Sequence, residues 1–108
     1  MYKDVCTVSV VTFNAKWGDK AANLNRIKGY IEWAAKRGRD IIVLPEMALT
    51  GYDVEIDKPT AEKMQGKLAE TIPGPATDEI AVVTKKYGVY AFVGMPEKDG
   101  ANPATLYN

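Results

Sequence analysis

Histidine is missing from the 108-residue sequence. Its absence excludes, within these residues, a Ser-His or Cys-His catalytic pair and any metal site built on imidazole. Cysteine occurs once, as Cys6. No internal disulfide can form, and the chain fits a reducing compartment such as the cytoplasm. Neither sign of charge is in excess: 14 Lys and Arg balance 14 Asp and Glu. A chain without net charge lacks the basic field that would draw nucleic acid or an anionic membrane. No apolar run is long enough to span a bilayer, and the residues ahead of Cys6 lack the apolar core of a signal peptide. The glycines form no GxGxxG pattern after the first apolar segment, so a dinucleotide cofactor has no support. Repeats, low-complexity tracts and internal boundaries are absent too, and residues 1–108 read as a single unit.

What is present alternates between strand and helix. Residues 5–13 are rich in β-branched types and apolar on both faces, which predicts a central strand with Cys6 as a small buried core residue. Asn14 opens a loop. Asp19 is a candidate N-cap, and Leu24, Ile27, Tyr30, Ile31, Ala34 and Ala35 recur at helical spacing behind it. Lys36, Arg37 and Gly38 close that helix. Gly29 falls in its middle, at a cost that close packing on a sheet would explain. A second strand at 41–44 completes a βαβ unit with a parallel pair. Residues 59–70 predict a short amphipathic helix, and residues 76–87 a longer one with Ile80, Val83 and Tyr87 inward. A third strand at 89–95, a polar turn at 96–103 and the start of a fourth strand from 104 complete the pattern.

One stretch joins this scaffold to chemistry: Asp40-Ile41-Ile42-Val43-Leu44-Pro45-Glu46-Met47-Ala48-Leu49-Thr50-Gly51-Tyr52. Four apolar residues form a buried strand, and Pro45, with no N–H to donate, stops its ladder. Glu46 then falls just beyond the strand's carboxyl end, where open α/β sheets form their sites. A carboxylate beside low-dielectric core can be tuned towards general-base work. Glu46 is therefore the candidate catalytic residue.

With the strand-Pro-Glu stretch from Leu44 to Tyr52, Ile72-Pro73-Gly74-Pro75 entering a helix, and Val93-Gly94-Met95-Pro96-Glu97 followed by Leu106-Tyr107-Asn108, the chain resembles the N-terminal part of the nitrilase superfamily, the carbon–nitrogen hydrolases. The resemblance runs through essentially the whole chain in the family's order. It implies an α/β fold, the N-terminal part of an α-β-β-α sandwich, and a Glu-Lys-Cys triad in which Glu46 matches the glutamate. In that family the glutamate is general base to a cysteine thiol, and a lysine stabilises the tetrahedral intermediate formed from an amide, carbamoyl or nitrile group. No cofactor or metal is implied. The partner is a small-molecule substrate, with no nucleic acid and no membrane, and the full-length parent is expected to be a homo-oligomer.

The family's lysine and cysteine have no counterpart here. The expectation is one partial domain, 1–108, truncated at its C-terminal end and inactive alone. Tyr52 is a candidate pocket wall or a ring packed on its loop. Tyr107 and Asn108 are candidates at the active-site end, Asn108 reading more naturally as a turn or strand-end residue. Glu97 is either a second acid or a solvated one, and Lys58, Lys63 and Lys67 read as surface charges. Two other readings stay open: an acyltransferase or glutaminase branch of the same superfamily, and a non-catalytic doubly wound α/β binding module.

Overall fold

A computed structural model describes residues 4–107. Strand β1 (Val8–Val10) leads through helix α1 (Lys20–Ala35) to strand β2 (Ile41–Val43), and the two strands pair in parallel, Val8 with Ile41 and Val10 with Val43. A 3-10 turn (Thr60–Glu62) and the short helix α2 (Met64–Leu68) precede helix α3 (Pro75–Tyr87). Strand β3 (Tyr90–Phe92) follows and pairs in parallel with the other side of β2, giving the order β1-β2-β3. The βαβ reading is borne out. Its strand positions need correction: β2 occupies the middle of the sheet, and β1 lies at an edge among the described residues. A run of β-branched residues marks a strand but not its place in the order.

Register divides the sheet into two faces, because side chains alternate along a strand and matched positions of parallel neighbours point the same way. Ser9, Ile42 and Ala91 share one face. Ile42 is fully buried there in a core with Leu24, Ile27, Ile31 and Ala34 of α1 and Ala76 and Ile80 of α3. Val8, Val10, Tyr90 and Phe92 share the other face, and each is more than half exposed. One layer of helices on one sheet is the arrangement the resemblance implies for this part of the sandwich. Cys6 precedes β1 and is exposed, contrary to the expectation of a buried core residue. Among the described residues, only the side of the sheet under α1 and α3 has a layer to bury it.

Local chemistry fixes the helix ends. Asp19 caps α1 as expected, its Oδ1 accepting the Ala22 N–H at 3.1 Å. That bond, with Lys16 beside it, lowers the Asp19 pKa. The mid-helix Gly29 faces open space, with nothing within 4 Å of where a Cβ would sit, so close packing does not explain it. The helix expected over 59–70 is broken at Lys63, whose backbone is extended, and the Met64 N–H that opens α2 is taken by Glu55 Oε2 at 2.7 Å. The expected polar turn at 96–103 belongs to a small antiparallel hairpin, β4 (Glu97–Lys98) with β5 (Leu106–Tyr107).

A buried acid ties the elements together. Glu70 is only 6% exposed. Its Oε1 accepts the Ala76 N–H in the first turn of α3 at 2.6 Å, and its Oε2 meets Lys20 Nζ of α1 at 2.8 Å. Lys20 also donates to the Leu68 carbonyl of α2 at 3.2 Å. A carboxylate at a helix N-terminus satisfies an orphan N–H and opposes the helix dipole, and its cation keeps the buried charge paired.

Candidate active site

The sheet hands the chain directly to the site. Beyond β2 the Leu44 N–H still bonds the Phe92 carbonyl at 2.8 Å, and Pro45 then ends the ladder. The chain folds into a turn over 46–50. Its underside is core: Met47, Ala48, Leu49 and Thr50 are buried, while Glu46 is exposed. Met47 holds a left-handed backbone, φ 55°, a conformation non-glycine residues adopt only where the surroundings impose it. Those surroundings include the Gly51 N–H on the Met47 carbonyl at 2.8 Å and the burial of Met47 itself.

Gly94, just past β3, supports the turn from beneath. A Cβ there would lie 2.6 Å from Glu46 Cα, 2.7 Å from the Pro45 carbonyl oxygen and 2.8 Å from Met47 N. Only glycine lets the two backbones pass so closely. Gly51 closes the turn at φ 78°, with its missing Cβ directed at Trp17 Cα, 3.1 Å away. The turn is thus wedged between the end of β3 and the loop that follows β1.

The upper side of the wedge is a cleft of about 340 Å³, lined by Phe13, Asn14, Ala15 and Trp17 on one wall and by Pro45, Glu46, Met47, Gly51, Tyr52 and Val54 on the other. It lies beyond the carboxyl ends of β1 and β2, where the sequence put it. Glu46 Oε2 accepts a hydrogen bond from the Tyr52 hydroxyl at 3.0 Å. The bond and the adjoining negative charge raise the Tyr52 pKa above the ordinary phenol value. Tyr52 therefore lines the cleft and also orients the acid, a role its sequence position did not announce. The expectation that Glu46 borders low-dielectric core holds for its backbone. Its carboxylate is on the solvent side, because the described residues supply no roof over the cleft.

The other candidates lie elsewhere. Cys6 precedes β1 and Glu46 follows β2. In a parallel pair that puts them at opposite ends of the sheet, so Cys6 is no partner for Glu46. The Tyr107 hydroxyl donates to Asp99 Oδ2 at 3.2 Å, which braces the hairpin and not the cleft, and Asn108 lies outside the described residues. Glu97 is in β4, half-buried and paired with Tyr107 in register. Lys58 is exposed and bonded to Glu55, Lys67 is exposed and Lys63 is half-buried. A larger cleft, about 540 Å³, opens beside Lys20, Glu70, Glu79 and Lys98. Lys20 and Glu70 are spent on each other there, and Glu79 on Lys28 at 3.0 Å, so these charges serve the fold.

Sequence reasoning missed a residue beneath the cleft. Asn23 is fully buried on α1, between the apolar positions of the stripe. Its Oδ1 accepts the Lys16 N–H at 2.8 Å, and its Nδ2 donates to the carbonyls of Lys16, at 2.7 Å, and Leu49, at 3.0 Å. A polar residue beside Leu24 on an inward face was the available signal.

Residues 7–108 match the family model described as carbon-nitrogen hydrolase. An omega-amidase of Xenopus tropicalis is 36% identical over 90 residues, covering 82% of this chain and 29% of that protein. A nitrilase of Pyrococcus abyssi is 33% identical over 102 residues, 94% of this chain and 36% of its own length. A bifunctional nitrilase/nitrile hydratase of Lupinus angustifolius is 32% identical, covering 92% of this chain and 31% of its own. The chain therefore spans about a third of the length of the curated relatives it matches. With a family model matched from the first strand to the last residue, and with an acid held at the end of a parallel β2, this chain belongs to the carbon–nitrogen hydrolase family.

Proposed function

We propose that the chain is the base-bearing part of an enzyme that hydrolyses non-peptide carbon–nitrogen bonds, in which Glu46 activates a cysteine thiol supplied by residues that follow position 108. The observation that carries this reading is the placement of Glu46, exposed at the rim of a strand-end cleft and hydrogen-bonded by Tyr52. In the proposed reaction the carboxylate takes the proton of the thiol, and the thiolate attacks the carbon of an amide, carbamoyl or nitrile group. A lysine, also downstream, stabilises the charge that builds on the attacked group. For an amide or carbamoyl substrate, Glu46 returns its proton to the departing nitrogen as the C–N bond breaks. It then takes a proton from the water that opens the thioester.

The exposure of Glu46 sets a condition on this reading. The segment that brings the cysteine must also roof the cleft, because a base works best where water is excluded. In the full-length protein, Glu46→Gln should lower kcat/KM by about a hundredfold or more while the fold is kept, the scale of a lost general base. Amide turnover retained in that variant would overturn the assignment. The 108-residue chain alone should show no turnover of amides or nitriles.

A further inference from the structure

We propose that Asn23 is a positioning residue for Glu46, an inference that rests on the reading of Glu46 as the base. The cleft has two walls that are distant in sequence. Phe13, Asn14, Ala15 and Trp17 line one, and the turn that carries Glu46 forms the other. Asn23 lies under both. Its amide oxygen and nitrogen hold the backbone of Lys16, between Ala15 and Trp17 of the first wall, and the same nitrogen holds the carbonyl of Leu49, in the turn that carries the second. The neighbouring backbone bond from Gly18 N–H to the Thr50 carbonyl, 2.8 Å, follows the same seam.

Only a primary amide fits this place. The site presents one N–H and two carbonyl oxygens, and an asparagine offers one carbonyl and an NH₂ with two donors. A carboxylate keeps the acceptor but turns a lone pair towards both carbonyls. An alkyl side chain satisfies none of the three. Asn23 and Leu49 are both fully buried, so water does not replace a lost partner freely. From Leu49 to Glu46 is less than one turn of chain, and the Met47 backbone between them is left-handed. A shift at Leu49 therefore has only two residues of chain in which to be absorbed before Glu46. Displacing a reacting group by about 1 Å costs on the order of a hundredfold in rate.

The test uses the full-length protein and compares Asn23→Asp and Asn23→Ala with Ile80→Ala, a cavity in the same core on α3, away from the cleft. The Asn23 variants should lose about ten- to a hundredfold in kcat with KM changed less than about threefold, the signature of a group acting in the transition state. Alkylation of the catalytic cysteine by iodoacetamide at neutral pH should slow in step, because the thiolate forms less readily without a positioned base. Ile80→Ala, with thermal stability lowered at least as much, should keep both rates. Asn23 variants that retain full kcat and alkylation rate would overturn the proposal, as would an equal loss in Ile80→Ala. So would failure of both Asn23 variants to fold under conditions where Ile80→Ala folds, since the residue would then serve the fold alone. Glu46→Gln run alongside separates the two readings: an active Glu46→Gln removes the base assignment, whereas an inactive one beside fully active Asn23 variants removes only the positioning role.

Discussion

Tyr52 makes the state of Glu46 measurable. The phenol donates to Glu46 across a 3.0 Å hydrogen bond that deprotonation would lose, and this bond first, then desolvation and the neighbouring negative charge, raise the Tyr52 pKa. A raised pKa means that the stabilisation is fully present below the ordinary phenol range, near pH 10, and is lost as pH rises through the folded-state value. Glu46→Gln removes the charge and should bring the Tyr52 midpoint back down towards that range. Carbon-13 labelling at tyrosine Cζ would resolve it by NMR. Tyr107 is the internal control, because Asp99 and not Glu46 raises its pKa. A Tyr52 midpoint that does not move would show that the phenol and the acid are not partners. Gly94 gives a second handle at this scale. The methyl group of Gly94→Ala would press on backbone at 2.6–2.8 Å, which cannot swing aside as a side chain can. Overpacking of that kind costs about 1–3 kcal/mol, to be read as a lower denaturation midpoint, and the Glu46 turn must move to relieve it.

At the scale of elements, α1 offers the opposite case. Gly29 is exposed in mid-helix with open space around it. Gly29→Ala should therefore stabilise the protein by about 1 kcal/mol, read from the urea midpoint, with no overpacking to set against the gain. That helix was legible because its signals are local: an aspartate cap, apolar spacing and basic residues at its end. The strand-Pro-Glu passage was legible for the same reason, and with it the position of Glu46. What failed was long-range. Nothing near residues 5–13 says whether their strand is central or at an edge, or which side of the sheet has a layer to bury Cys6. The break at Lys63 depends on Glu55, eight residues earlier, taking the Met64 N–H. The buried roles of Glu70 and Asn23 require partners up to dozens of residues away, and in sequence each is an ordinary polar residue on a helical segment or next to one.

For the molecule as a whole, the telling feature is the uncovered side of the sheet. Val8, Val10, Tyr90 and Phe92 form one apolar surface, with Phe92 61% and Tyr90 74% exposed. A sheet carrying such residues on both faces is built to be covered twice. We propose that the cover is a second sheet from the same polypeptide, a reading in keeping with the chain's coverage of about a third of its relatives' length. This assignment makes opposite demands on two versions of the protein. In the full-length chain, Phe92→Lys would bury a cation and lose an aromatic contact. It should cost about 3 kcal/mol or more, seen as a lower unfolding midpoint and loss of activity. In the 108-residue chain the same lysine would face water, so it should leave the folded content by circular dichroism unchanged and reduce self-association by sedimentation. Val10→Lys, at the matching register on β1, should behave likewise. A full-length protein that tolerates both lysines at no cost would show that this face looks onto solvent there too, and the second layer would have to pack elsewhere.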